Sequence, residues 1–478
     1  MAYSLMREAP VVVVMVPLPA QGHLNQLLHF SRILAARQIS VHYVGSATHN
    51  RQVKERVQGW NPNTMSNIHF HDFPIPQFLN PPPDPEATNK FPAHFQPTFD
   101  ASMHLRQPLA ELLRSLATTS RRVVVVHDTL MAFASLEAQS IPNAESYAFR
   151  SVSAFACLVH QLKSNGNNGR ASSKGVVIPH DLPVNCFSNQ FVDFISRQFL
   201  SLSSTAGELF NTCGPVEGPY LDLLGQKPLL MNKKRWAVGP LNPVSINNTV
   251  GANSSPYHPR HKCLEWLDKQ AMDSVLYVSF GTMTSLSDAQ IRELAIGLER
   301  SKQRFIWVLR EADRGDIYAD DDREVRRIEL PHGYEERVNG VGEIVRDWAP
   351  QLDILAHSST GGFMSHCGWN SCMESMSMGV PIAAWPMHSD QPSNTILVTQ
   401  ILKVGIVVRE WERREDLVSS TDIESVVRKL MASDEGKSMR ARAKTLGVDV
   451  CNTVLSKEGT STAELDSFIA HISRDRKS

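Results

Sequence analysis

The chain opens on an uninterrupted apolar run, residues 11–16, set between prolines at positions 10 and 17. β-Branched residues without polar alternation suit a parallel strand buried on both faces. Residues 17–21 form a stiff loop, and from Gly22 the period changes. Leu24, Leu27, Leu28, Ile33 and Leu34 then fall on one helical face. Residues 41–44 predict a second strand. A strand–loop–helix–strand unit opens a doubly wound α/β domain, in which ligands sit beyond the carboxyl ends of the strands. The proline-rich stretch 74–97 excludes helix or central strand and predicts a long surface loop or lid. The leucines of 105–117 predict a helix, and residues 123–126 a buried strand ending at His127 and Asp128. Residues 187–210, rich in Phe and Ile, predict a further helix. Residues 236–240 close the first half.

Residues 242–258 are polar, turn-rich and aperiodic, as a linker is. The α/β pattern then restarts. It predicts a short helix at 263–267, strands at 275–280 and 305–309 with a helix over 288–302 between them, and an exposed charged loop at 313–327. Further helices are predicted at 419–431 (capped by Ser420 or Thr421), 436–454 and 460–473, followed by a basic tail from Arg474 to Lys477. Two halves that repeat one logic without shared sequence predict two facing Rossmann-like domains with a cleft between them.

Composition narrows the function. A chain of 478 residues exceeds one ordinary core, which agrees with two domains. Lys and Arg total 48 against 49 Asp and Glu, so no global field draws the protein to nucleic acid or an anionic membrane. Seven cysteines, odd in number and without paired spacing, point to reduced thiols in the cytoplasm rather than a disulfide frame or zinc site. No apolar run reaches the ~20 residues of a transmembrane helix. Residues 9–20 superficially resemble a signal-peptide core, but the valines and flanking prolines suit a strand better. In a cytoplasmic chain the sequons at Asn247 and Asn253 carry no information.

The chemistry concentrates between Trp348 and Gln391. Its centre, Gly361-Gly362-Phe363-Met364-Ser365-His366-Cys367-Gly368-Trp369-Asn370-Ser371, with Glu374 a turn later, predicts strand, tight turn and helix N-terminus. Asn370 or Ser371 would cap that helix, whose free N–H groups would bind an anion such as a phosphate. In the first half, His23 follows strand one at a helix start, where the helix dipole keeps the imidazole neutral and basic. Asp128, at the end of another strand of the same sheet, is placed to offset its charge. From position alone, a simple cap at His23 and a simple turn at Asp128 remain open. His127 is expected to face packing rather than chemistry. Gly-x-Ser-x-Gly, Gly-x-Gly-x-x-Gly and Walker A sequences are absent. Asp320-Asp321-Asp322 lies in a charged run without an adjacent strand and reads as a solvated loop. Cys367, Cys372 and His366 lack a second ligand pair for a metal.

The stretch 348–391 resembles the signature box of plant small-molecule UDP-glycosyltransferases. Trp348, Ala349, Pro350, Gln351, His366, Gly368, Trp369, Asn370, Ser371, Glu374, Gly379, Pro381, Trp385, Pro386, Asp390 and Gln391 carry the resemblance, which extends over the whole chain through His23, Asp128 and Phe280-Gly281-Thr282. It implies an α/β GT-B fold, with an acceptor-binding domain over 1–241, a linker over 242–258 and a UDP-sugar domain over 259–455. Residues 456–478 would form a helix packing back on the first domain. It also implies inverting transfer from UDP-glucose without metal or other cofactor, in a monomer that binds neither nucleic acid nor membrane. Trp348 would stack on uracil, with Ala349 beside it. Gln351 would bind near base and ribose, and Glu374 would accept from the ribose hydroxyls. Thr282, His366, Asn370 and Ser371 would hold the diphosphate, and Asp390, Gln391 and the Trp369 backbone the sugar. His23 would take the acceptor proton, with Asp128 offsetting the imidazolium. Gln391 favours glucose without excluding xylose.

Residues 358–365, 372–379, 16–26 and 127–131 further resemble the zeatin O-glycosyltransferase branch, implying the side-chain hydroxyl of a cytokinin as acceptor, with flavonoid or other phenolic hydroxyls as the alternative. Phe78, Phe91, His94, Phe95, Phe149, Phe155 and Phe187 are candidate acceptor walls, ordinary packing being an equal alternative for each.

Overall fold

The computed structural model describes residues 9–164, 178, 186–225, 233–244, 260–319, 326 and 328–475. Most of the expected linker, both sequons and Asp320 to Asp322 lie outside them. The first half alternates β1 (Val11–Val16), α1 (Gln21–Ala36), β2 (Ser40–Gly45), α2 (Ala47–Arg56), β3 (Ile68–Asp72), α3 (Arg106–Thr119), β4 (Arg122–Asp128), β5 (Ala144–Arg150), α4 (Ala154–Ser164), α5 (Asn189–Ser201), β6 (Gly207–Phe210) and β7 (Lys234–Ala237). The strands form one parallel sheet in the order β3-β2-β1-β4-β5-β6-β7. Val12 to Val16 and Val123 to Val126 are buried at its centre. The order reverses between β1 and β4, whose carboxyl ends carry the loop to His23 and Asp128 themselves.

The second half holds β8 (Val275–Ser279), α6 (Asp288–Ser301), β9 (Arg304–Val308), β10 (Gly342–Val345), β11 (Thr360–Ser365), α7 (Trp369–Ser377), β12 (Ile382–Ala384), β13 (Gly405–Val407), α8 (Ser420–Ala432) and α9 (Asp434–Leu455). Its parallel sheet runs β10-β9-β8-β11-β12-β13 and reverses between β8 and β11. That switch point delivers His366 and the N-terminus of α7. The two halves share a buried apolar cluster in which Phe155, Phe210 and Tyr220 meet Cys367, Trp369, Met373 and Met376. The last helix, α10 (Thr460–Ser473), returns to the first sheet. It buries Leu465, Phe468 and Ile472 in that core, at about 1.5–3 kcal/mol each. Ser461 Oγ also donates to the Gly239 carbonyl at 2.6 Å.

Several local expectations give way to tertiary context. The predicted helix over 187–210 ends at Ser201, and residues 207–210 are a strand, because the sheet takes up the apolar Leu209 and Phe210 between β5 and β7. The cap of α8 is Ser419, one residue before the expected pair, with its side chain accepting from Asp422 N. The charged run from 313 does not begin in solvent: Asp313 is buried between Arg56 and Arg310.

Candidate active site

A cavity of about 820 Å³ lies between the carboxyl ends of the two sheets. His23, Thr282, Trp348, Ala349, Gln351, His366, Trp369, Asn370, Ser371, Glu374, Asp390 and Gln391 all line it. Asp128 does not; it is fully buried behind His23.

β1 delivers the loop that ends in Ala20, and α1 starts without a side-chain cap, so His23 sits in the first turn at the cavity wall. Its side chain keeps 24% of its exposure, and Nδ1 lies 2.7 Å from Asp128 Oδ2. That places the Nδ1 proton on the carboxylate and leaves Nε2 for the cavity. Asp128 is saturated: Ser151 Oγ donates to the same Oδ2, and Leu130 N donates to Oδ1 at 2.9 Å. Burial opposes the Asp128 charge, but His23 and these donors hold its pKa below the usual carboxylate value. The expected lowering of the His23 pKa by the helix start is reversed. Burial does lower it, but the Asp128 charge and hydrogen bond, with Asp390 further off, raise it above 6.5. Ser151 had no motif to announce it; it matters because β5 lies beside β4.

On the opposite wall, α7 begins at Gly368, and neither Asn370 nor Ser371 caps it. Asn370 Nδ2 instead donates to the Gly22 carbonyl at 3.1 Å, across the cleft and next to His23. The first N–H groups of α7 thus keep no side-chain partner among the described residues, which suits an anion better than a capped helix would. Cys367 ahead of it has a left-handed φ of 63°, a conformation that costs about 1–3 kcal/mol in a residue with a Cβ. His366 is threaded between two glycines: a Cβ at Gly281 or Gly368 would come within 2.6 or 2.5 Å of its Nε2. Burial lowers the His366 pKa to about 4, so the ring is neutral, and its buried Nδ1 has no partner among the described residues.

Glu374 and Gln351 form one unit. Gln351 Nε2 donates to Glu374 Oε2 at 2.7 Å and to Ser371 Oγ at 3.0 Å, while Tyr277 OH donates to Gln351 Oε1 at 3.4 Å. Burial raises the Glu374 pKa to about 7 against the lowering effect of Gln351. Trp348 is half-buried, with the Arg56 guanidinium 4.5 Å and the Arg310 guanidinium 5.9 Å from its ring centroid. Gln58 fixes the next turn, donating to Ala349 O at 3.3 Å and accepting from Leu352 N at 2.8 Å. Thr282 holds the Asp313 loop through its carbonyl, at 2.7 Å. The Trp369 indole faces away from the cavity chemistry, donating to Asn211 O at 2.8 Å. Gln391 Oε1 is spent on the backbone N–H groups of Met387 and His388, at 2.8 and 3.0 Å, and its amide nitrogen lies 3.3 Å from His388 Nε2, which leaves one N–H of that nitrogen to meet a ligand. Asp390 is held by Asn394 Nδ2 at 2.8 Å, and Asn394 in turn accepts from Ser153 Oγ at 2.7 Å.

Of the candidate acceptor walls, Phe91 and Phe187 line the cavity. Phe95, Phe149 and Phe155 are buried in cores instead, Phe78 lies against the Gly315 loop, and His94 bonds the Asp313 carbonyl at 3.0 Å. Phe99, Phe191, Phe199 and Phe210 complete the apolar wall. Helix α5 supplies two of these, and nothing in its periodicity says which of its phenylalanines meets the cleft.

Two facing parallel sheets, a basic imidazole on one wall and an uncapped helix N-terminus on the other define a glycosyltransferase of the GT-B fold. Residues 9–243 match the glycosyltransferase N-terminal domain model, and residues 184–446 match that of the UDP-glucoronosyl and UDP-glucosyl transferases. The chain belongs to the UDP-glycosyltransferase family. It is 50% identical to a zeatin O-glucosyltransferase of Phaseolus lunatus, covering 98% of this chain and 99% of the relative. It is 48% identical to a zeatin O-xylosyltransferase of Phaseolus vulgaris, over 98% and 100%. Among solved structures, Phytolacca americana UGT2 complexed with UDP-2fluoro-glucose and pterostilbene superposes with a TM-score of 0.72 at 27% identity, covering 97% of this chain and 99% of that one. No helix among the described residues is long and apolar enough to cross a membrane.

Proposed function

We propose that the protein is an inverting, UDP-glucose-dependent O-glucosyltransferase that forms a β-glucoside on the side-chain hydroxyl of zeatin-type cytokinins. The observation that carries the transfer chemistry is the His23–Asp128 pair, 2.7 Å apart, with Nε2 directed to the cavity opposite the α7 N-terminus. The acceptor hydroxyl gives its proton to Nε2 as its oxygen attacks C1 of the sugar from the face away from UDP. Asp128 holds the imidazolium that forms. As the glycosidic bond breaks, charge grows on the diphosphate, and the α7 N–H groups, Ser371, Asn370, Thr282 and His366 are the donors available to it. They take the part a metal plays elsewhere, so transfer proceeds without one. Trp348 stacks on uracil, Gln351 and Glu374 take the ribose, and Asp390 with the amide nitrogen of Gln391 takes the glucose.

The acceptor assignment rests on the full-length identity to zeatin O-glycosyltransferases. The xylosyltransferase among them makes UDP-xylose the alternative donor. We take the protein to be a cytoplasmic monomer. Incubation with UDP-glucose and UDP-xylose against trans-zeatin, cis-zeatin and a flavonoid panel, compared by kcat/KM, tests the reading. A zeatin with UDP-glucose is expected to be the best pair; absence of transfer to either zeatin overturns the cytokinin assignment and leaves the glycosyltransferase chemistry intact.

A further inference from the structure

Beyond the dyad the cavity continues to a charged end. Arg150 is the last residue of β5, the strand beside the one that ends in Asp128. Its Nε donates to Glu208 Oε1 at 3.1 Å, and its Nη2 reaches the same oxygen. Glu208, only 4% exposed, also accepts from Arg235 Nε at Oε2, at 2.9 Å. Lys233 stands near but is consumed, donating to Leu202 O at 2.6 Å and Thr205 Oγ1 at 2.9 Å. Arg150, Glu208 and Lys233 line the cavity together with Phe199 and Phe210. Arg150 Nη1 has no hydrogen-bond partner among the described residues, and the side chain keeps 18% of its exposure.

Glu208 is paired with two guanidiniums, whereas Arg150 spends Nε and Nη2 on one oxygen and leaves Nη1 to the cavity, so part of its desolvation cost is not offset. What the pair offers the cavity is a donor next to an acceptor. Arg235 and Lys233 stand with Arg150 against the single carboxylate of Glu208, so charge alone does not exclude an anionic acceptor, but an anion would use Arg150 and leave the acceptor capacity of Glu208 unused. A phenolic ring without nitrogen would bury Arg150 Nη1 without a partner, which is expensive. A neutral heteroaromatic ring with an N–H adjacent to a bare ring nitrogen satisfies both at once.

We propose that Arg150 and Glu208 form an acceptor subsite that binds the N–H/N edge of a nitrogen heterocycle, with Arg150 Nη1 donating to the ring nitrogen and Glu208 accepting from the ring N–H. This rests on the glucosyltransferase reading, and deepens it: zeatin is an adenine whose N6 substituent bears the hydroxyl, so its far N9–H/N3 edge is the matching group. Arg150 and Glu208 then select the acceptor without touching the reacting atoms, while the phenylalanine wall holds the ring between them and His23.

The probe is N6-benzyladenine, which carries that edge but no hydroxyl to glycosylate, titrated into the full-length protein saturated with UDP. Saturable binding is expected, and at least about tenfold weaker binding of its 9-methyl derivative, which lacks the N–H. Arg150→Met is expected to weaken N6-benzyladenine by about tenfold or more and leave UDP affinity unchanged. No saturable binding of N6-benzyladenine, or equal affinity for the two purines, overturns the subsite, as does a folded Arg150→Met protein that binds N6-benzyladenine as wild type does. If Arg150→Met does not fold, judged by loss of UDP binding, the two-purine comparison on the wild-type protein decides. Transfer to trans-zeatin is read separately: a protein that discriminates the two purines but does not glucosylate trans-zeatin keeps the subsite and loses the cytokinin reading.

Discussion

Arg56 of the first domain lies with its guanidinium 4.5 Å from the ring centroid of Trp348 in the second. The same guanidinium is paired with buried Asp313, also of the second domain. One face of the indole proposed to stack on uracil is therefore set by a residue from across the cleft, and the donor site is complete only when the two domains are together. Arg56→Ala is expected to raise KM for UDP-glucose by roughly 2- to 30-fold, the range of a partly desolvated cation–π contact. kcat should change little, because Arg56 is remote from the bond that breaks. Steady-state kinetics with the donor varied checks this; an unchanged donor KM would show that Trp348 needs no support from Arg56.

Transfer should depend on pH through His23. Only the neutral ring accepts a proton, and Asp128 raises the His23 pKa above 6.5, so kcat/KM rises with pH through that raised value and is lost below it. Asp128→Asn removes the charge that raises the pKa. The acid limb should then move to lower pH while the plateau falls by about 100-fold or more. A pH profile of both proteins separates the two effects.

UDP affinity should carry a second pH dependence. Glu374 has a pKa raised to about 7 by burial, and in the proposed donor site only its ionised form would accept from both ribose hydroxyls. Raising the pH through about 7 is expected to strengthen UDP binding beyond any change due to UDP's own phosphate. Glu374→Gln should remove that component and bind more weakly at high pH. Calorimetric titration of UDP at several pH values measures the difference.

Gly281 is expected to be as sensitive as His366 itself. An alanine there is strained by the φ of +77° and drives its Cβ to 2.6 Å from His366 Nε2. Gly281→Ala should therefore mimic His366→Ala, lowering turnover by orders of magnitude and weakening UDP binding. Combined in one protein, the two changes should cost little more than either alone.

The cavity wall proposed for the donor was legible in the sequence because it is local. Trp348 to Gln391 is one strand–turn–helix segment and its continuation, and its spacing determines which atoms surround the α7 N-terminus. The two-domain architecture was legible for a similar reason: runs of valine, one leading by a loop to His23 and one ending at Asp128, are readable as buried parallel strands. Tertiary structure alone decided what depends on strand order and domain apposition. It set Ser151 on Asp128 and Arg56 on Trp348, left α7 uncapped by sending Asn370 to Gly22, and turned residues 207–210 into a strand between β5 and β7. It also raised the His23 pKa where the helix start alone would lower it, because a carboxylate 105 positions away lies 2.7 Å from the ring. Periodicity reports which face of an element is buried, but not which neighbour it meets; contacts between distant residues are fixed by how the sheets order their strands and how the two domains close on each other.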